Sequence, residues 1–197
     1  MYKGILLSGG LDSVSLAYWK RPDIALSLDY GQAAAEKELE VSAIIAKELG
    51  MDHHIVTVDC SSLGSGDLVN GNAIDGSPSP EWWPYRNQLL VTLACMKGIS
   101  LGIDELMVGS VQSDGFHKDG TAGFYDRINE LMIYQEGNIH ITAPAIGLSS
   151  VELIKISGIP SSLLHWAHSC HTGSVACGKC RGCLKYQYTL RTLYGDQ

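Results

Sequence analysis

Residues 3–13 read KGILLSGGLDS. An apolar run at residues 3–7 stops at a serine and two glycines, and residues 12–20 can then begin a helix. The run has the length of a buried strand. Further strands are expected at residues 24–29 (IALSLD) and 54–58, with an Ala/Glu/Lys-rich helix at 33–49 between them. That helix carries apolar Leu39, Ile44, Ile45 and Leu49 and is ended by Gly50. Strand, helix, strand, helix, strand implies an α/β fold, a parallel sheet with helices on both faces. In such a sheet ligands bind beyond the carboxyl ends of the strands, which is where residues 8–13 fall. Glycines let a ligand approach the backbone, and helix N-terminal N–H groups and serine hydroxyls face an anion. A phosphate suits such a turn. No lysine follows the glycines as in the Gly-Lys-Ser/Thr loop, and the pattern is not the dinucleotide G-x-G-x-x-G. The plainer reading is a helix start capped by Asp12 or Ser13.

Residues 60–84 form a loop rich in Ser, Gly, Asn, Asp and Pro, long enough to suggest a function. Helix 87–101, strand 105–109 and a second polar loop, 110–123, follow. Beyond them are expected a helix at 125–136, a short strand at 139–143, a helix at 149–157 capped by Ser149, another opening at 160–162, and an amphipathic helix at 184–194. The 197 residues suffice for one domain with a full core. A net charge of −7 argues against general nucleic-acid binding but allows a local basic pocket. The start has no leader pattern and no apolar run is long enough to span a membrane, so a cytoplasmic protein without a membrane partner is expected.

Disulfides are rare in that compartment, so the six cysteines need another explanation. Cys60 and Cys95 are read as small apolar fillers. Cys170, Cys177, Cys180 and Cys183 have the spacing of a closed zinc site, with Gly178 and Gly182 permitting tight turns. An iron–sulfur cluster uses the same ligands, and a disulfide pair or redox C-x-x-C are the other readings. His168 and His171 flank the first cysteine. Lys179, Arg181 and Lys185 either offset the thiolate charge or form a solvated face. His53, His54, His117, His140 and His165 show no partner pattern and are expected to be structural or exposed.

The hexapeptide SGGLDS resembles the S-G-G-x-D-S loop of the N-type ATP pyrophosphatases, the PP-loop superfamily. These split ATP into AMP and pyrophosphate to adenylate a carbonyl oxygen. Further stretches narrow the resemblance: LDYGQ at 28–32, PYRNQLLVTLA at 84–94, ELMVGSVQSDG at 105–115 running on to FYDR at 124–127, and the SCHTG…CGKCRGC tail. In this order they resemble the 7-cyano-7-deazaguanine synthase (QueC/ExsB) family. The resemblance implies a Rossmann-like, adenine-nucleotide alpha hydrolase-like sheet plus a small C-terminal zinc-binding helical tail. It divides the chain into a PP-loop domain at 1–160 and a zinc-knuckle segment at 161–197 packed on the same domain.

The family converts 7-carboxy-7-deazaguanine with ATP and ammonia, through an amide, to the 7-cyano base preQ0. By resemblance Ser8, Gly9, Gly10, Leu11, Asp12 and Ser13 bind ATP phosphates bridged by Mg2+, and Asp29, Tyr30 and Gln32 lie where base or ribose rests. Ser8, Asp12, Ser13 and Arg86 form the implied catalytic set, Arg86 as an anion clamp or else a surface arginine. Arg86, Asn87, Asp114, Phe124 and Asp126 are the implied substrate contacts, and Trp82 and Trp83 either stack on the heterocycle or pack the loop. Zinc on the four cysteines and a homodimer complete the expectation.

The chain departs from the pattern in being shorter, in an insertion-like FHKDGTA at 116–122, and in carrying Ser150 where the family usually has lysine, with Glu152 retained. These changes lie toward the acceptor. The alternative is therefore a paralogue of the kind found in antiphage systems (CBASS-type), stopping at the amide or joining the deazaguanine to a partner protein amine. Other readings are a tRNA thiolase, an amidotransferase-type synthetase, or a non-catalytic nucleotide-sensing module.

Overall fold

The computed structural model describes residues 2–195. Five parallel strands form one sheet: β1 Tyr2–Leu6, β2 Ile24–Asp29, β3 Asp52–Thr57, β4 Ile103–Met107 and β5 His140–Thr142. Their order is β3-β2-β1-β4-β5. The chain builds outward from β1 to β3, then crosses to β4 and builds the other way. The crevice between the carboxyl ends of β1 and β4 is thus the topological switch point.

Seven helices accompany the sheet among the described residues: α1 Leu11–Lys20, α2 Ala35–Leu49, α3 Arg86–Leu101, α4 Ala122–Tyr134, α5 Ser150–Ser157, α6 Ser161–Leu164 and α7 Arg181–Tyr194. Side-chain alternation along the strands divides the core in two. Ile24, Leu26 and Leu28 of β2 join Val91 and Ala94 of α3 and Tyr125 and Ile128 of α4 on one face. Ala25 joins Ile5, Leu16 of α1, Val41 of α2 and Ile154 of α5 on the other. Tyr186, Leu190 and Leu193 of α7 pack against this second cluster.

Most elements begin or end within a few residues of expectation, and the differences have local causes. Helix α7 starts at Arg181, earlier than 184, because the Cys180 sulfur caps it by accepting the Cys183 N–H. Helix α4 starts at Ala122 because Thr121 caps it. Ser149 caps α5 as expected, in a reciprocal box with Glu152. The cap of α1 is Gly10, with no side-chain bond, so neither Asp12 nor Ser13 plays that part. Loop 60–84 is structured: it contains 3-10 turns at Ser61–Leu63 and Gly66–Val69 and buries Leu68 and Trp83. Loop 110–121 likewise holds turns at Gln112–Phe116 and Lys118–Gly120. No helix among the described residues is long and apolar enough to cross a membrane.

Candidate active site and metal centre

A cleft of about 320 Å³ opens at the switch point, and the SGGLDS turn forms its floor. The turn is held by its own serines. The Ser8 and Ser13 hydroxyls are 3.1 Å apart, Ser13 donates to the Gly10 carbonyl at 3.1 Å, and the Gly10 N–H points to Ser8 Oγ at 3.4 Å. Gly9 has φ 72°, and a Cβ there would meet the Glu38 carbonyl at 2.9 Å. No other residue fits this approach without displacing α2. With Gly10 offering no side chain, the first N–H groups of α1 remain directed at the cleft.

Asp12 anchors the next layer. Its Oδ2 lies 2.8 Å from Lys185 Nζ, which is also 2.9 Å from Asp114 Oδ1. Burial raises the Asp12 pKa, and Lys185 opposes that shift. Burial pulls the Lys185 pKa down, but the two carboxylates outweigh it and hold the ammonium above its ordinary value. The other Asp12 oxygen, Oδ1, is buried without a hydrogen bond of sound geometry. It is enclosed beside Ser150, so it would meet a magnesium ion only after the carboxylate turned toward the cleft; Asp12 is the carboxylate of this turn that such an ion would use.

The β2 side of the cleft is formed by Tyr30, Glu38 and Arg86. Burial raises the pKa of both Tyr30 and Glu38, while the Arg86 guanidinium favours their ionised forms. Gln32 is occupied internally: its amide accepts from Tyr30 N–H and donates to the Leu28 carbonyl and to Glu38. Asp29 accepts from Gly31 N–H at 3.2 Å. Both residues therefore fix the loop after β2 and do not line the cleft.

The far wall is assembled from three distant segments. Glu81 accepts from Arg181 Nη1 at 2.9 Å and lies 3.3 Å from His117 Nε2. Burial opposes the Glu81 charge, yet hydrogen bonds from backbone, Arg181, Ser79 and His117 prevail and hold its pKa at about 2. Arg181 also lies over the Phe116 ring at 4.4 Å. Asn87 donates to the Asp119 carbonyl at 2.8 Å. His171 faces the same wall, and burial lowers its pKa to about 4.

Behind this wall the sulfurs of Cys170, Cys177, Cys180 and Cys183 lie within 4.8 Å of one another. A tetrahedron with Zn–S near ~2.3 Å has sulfurs about 3.8 Å apart, and Cys177 and Cys183 are separated by 3.9 Å. Backbone N–H groups point at the sulfurs, from Cys180 to Cys177 at 3.3 Å and from His171 to Cys180 at 3.4 Å. Backbone hydrogen bonds lower the Cys177 pKa to about 6, favouring thiolate. The set fits zinc as a closed structural site. His168 is not drawn in: its Nε2 bonds the Gly173 carbonyl at 2.8 Å, and its N–H bonds the Gly9 carbonyl at 2.9 Å. That second bond ties the knuckle to the SGGLDS turn. Gly178 makes a turn (φ 75°), whereas Gly182 lies in α7 and serves to avoid collision with the Ser169 carbonyl.

Of the residues singled out from sequence, the structure brings Ser8, Gly10, Leu11, Asp12, Ser13, Tyr30, Arg86, Asn87 and Asp114 to the cleft. It does not bring Phe124 or Asp126 there, nor Gly9, which packs against α2 and gives its carbonyl to His168 N–H. Phe124 packs edge-on against Tyr125 at 5.2 Å and on the α3–α4 core. Asp126 lines a separate hollow with Tyr125, Asn129 and Thr142. Trp83 is buried against Tyr30, with ring centres 5.0 Å apart, so it packs the loop. Sequence reasoning missed Glu38, Glu81 and Asp119 and read His117 as partnerless. It also left Arg181 and Lys185 as charges around the knuckle. Their i, i+4 spacing directly after Cys180 would have put both on one face of the final helix. Glu81 stands alone in a loop and carries no such signal.

A parallel sheet with an S-G-G-x-D-S loop at its switch point defines an ATP-dependent ligase of the PP-loop kind. The chain belongs to the family of the queuosine biosynthesis protein QueC, whose family model matches residues 4–193. The 7-cyano-7-deazaguanine synthase of Desulforudis audaxviator (strain MP104C) is 33% identical to it, over 98% of each chain. That of Methanosarcina barkeri (strain Fusaro / DSM 804) is 28% identical, over 91% of this chain and 89% of its own. Among solved structures, NMN synthetase from Francisella tularensis aligns with 100% of this chain and 78% of its own at a TM-score of 0.48 and 16% identity.

Proposed function

We propose that the chain converts 7-carboxy-7-deazaguanine to 7-cyano-7-deazaguanine, using ATP and ammonia and passing through the amide. The observation that carries this reading is the cleft at the switch point, with a turn suited to an anion on its floor and Arg86, Asn87 and Asp114 among its lining residues. A carboxylate is a poor electrophile. Its oxygen attacks the α-phosphorus of ATP and pyrophosphate leaves. Ammonia then takes the acyl carbon and AMP leaves with that oxygen. A second adenylation, on the amide oxygen, lets AMP and protons depart to give the nitrile.

No protein nucleophile is needed, so catalysis rests on positioning and charge stabilisation. Ser8, Ser13 and the N–H groups of Gly9, Gly10 and Leu11 would hold the phosphates. Asp12 would reach them through magnesium. Arg86 would clamp carboxylate or phosphate in a fork. Asp114 would accept from the amine and ring N–H of the deazapurine. Gln32 contributes by holding Tyr30 N–H and Asp29 by holding Gly31 N–H, and Phe124 and Asp126 would contribute only from outside the cleft. Residues 1–160 and 161–197 act as one unit in this reading, since α7 supplies cleft residues. A reducing, cytoplasmic setting suits the four thiols, and exposed Met96 and Ile99 on α3 offer a surface for a homodimer.

A second reading is favoured by residues 116–122, which contribute His117 and Asp119 to the acceptor wall. A changed wall suits a paralogue that stops at the amide or passes the acyl group to a protein amine. One product assay tests both readings. The chain would be given ATP, magnesium, ammonium and 7-carboxy-7-deazaguanine, and products read by mass spectrometry. Nitrile supports the first reading. AMP with amide alone, or with a mass shift on an added protein, supports the second. Absence of AMP overturns both.

A further inference from the structure

We propose that Lys185 of α7 is the cation that binds the pyrophosphate portion of ATP in this cleft, held ready between Asp12 and Asp114. The proposal rests on the adenylation reading and specifies one of its parts. Lys185 Nζ lies 2.8 Å from Asp12 and 2.9 Å from Asp114, and its side chain is 27% exposed, facing the cleft. Asp12 is the second residue of α1, so this ammonium stands at the turn whose N–H groups face an anion. A polyphosphate entering there meets two carboxylates. Repulsion opposes it, and an ammonium standing between them lowers that repulsion alongside the magnesium that would accompany the phosphates. Arg181 is committed to Glu81, and Arg86 faces Tyr30 and Glu38 across the cleft. An ammonium has three donors, so Lys185 can keep both carboxylates and give its third N–H to a phosphate oxygen.

Ser150 of α5 supplies a second observation. Ser150 Oγ is buried without a hydrogen bond of sound geometry, close enough to Asp12 to favour its charged form. Helix α7 packs against α5, so Lys185 and Ser150 approach the Asp12 carboxylate from neighbouring helices.

The test uses the zinc-loaded full chain and calorimetric titration with magnesium pyrophosphate, so no acceptor is involved. Lys185→Met keeps the apolar stem and removes the charge. Its dissociation constant is expected to rise about tenfold or more, and Ser150→Lys added to it should recover most of the loss. With ATP, kcat should fall while KM for the deazapurine holds. Binding by Lys185→Met within about twofold of wild type overturns the proposal, even if its melting temperature falls. A double variant no better than the single overturns the placing of the phosphate-binding charge beside Asp12. If Lys185→Met does not fold, Lys185→Gln takes its place. Wild type that binds pyrophosphate through Lys185 yet makes no AMP from 7-carboxy-7-deazaguanine leaves this assignment standing and refutes the substrate reading. Wild type that binds no pyrophosphate overturns the assignment.

Discussion

The two ends of the cleft are built by opposite means. The floor comes from six consecutive residues, Ser8 to Ser13, whose bonds are largely internal. The far wall comes from Glu81, His117 and Arg181, which are separated by dozens of residues and meet only in the folded chain. One end is a local motif and the other an assembly. The four-cysteine knuckle joins them: α7 gives Arg181 to the wall and Lys185 to the floor, and His168 beside it bonds Gly9. A structural metal held here would therefore position both ends.

Removing a knuckle thiolate should damage both ends at once. In Cys180→Ser a zinc ligand and the sulfur cap of α7 go together. Zinc content should fall, and a loss of about 3 kcal/mol or more should lower the melting temperature by about 6–12 °C. A variant that keeps full turnover without zinc would separate the knuckle from the cleft.

Asp12→Asn should strike the floor alone. The expected result is a fall in kcat of about 10² to 10³ with zinc content unchanged. Arg181→Met should strike the wall alone, raising KM for the acceptor about tenfold and leaving KM for ATP as it was. It also leaves buried Glu81 without its guanidinium, at a cost of about 1–3 kcal/mol, readable by denaturant unfolding. Equal effects of Arg181→Met on both Michaelis constants would break the division of the cleft.

The smallest effect is expected at Glu38. Its native pKa is raised above the ordinary 4.5, chiefly by burial. The native state thus binds more protons there than the unfolded state, so this group costs stability as pH rises from 4.5 through the raised value. Glu38→Gln removes that cost. Its melting temperature should exceed that of wild type at neutral pH, the difference shrinking as pH falls toward 4.5. A difference independent of pH would mean that Glu38 is not the group responsible.

Legibility followed the same division. Strand β2 was readable to the residue, because IALSLD is a short, mostly apolar run bounded by turn residues. The end of α2 was readable from Gly50, which takes the left-handed cap conformation. The SGGLDS turn and the four cysteines were readable because their chemistry lies in contiguous spacing. The far wall was not. Glu81 is an unremarkable acid in a polar loop until α7 brings Arg181 to it. Trp83 and Phe124 suggested ring stacking, but aromatic side chains also fill cores, and burial decided between the two. Lys185 resembled a solvated knuckle charge until α7 turned it toward Asp12.

The adenylation reading requires a particular oxygen to change hands, and isotope transfer follows that oxygen directly. 7-Carboxy-7-deazaguanine labelled with oxygen-18 in its carboxylate would be turned over with ATP, magnesium and ammonium, and the nucleotide and phosphate products weighed. One labelled oxygen in AMP from each adenylation is the expected result, with unlabelled pyrophosphate. Label in inorganic phosphate with ADP formed, or AMP without label, would contradict adenylation at the SGGLDS turn.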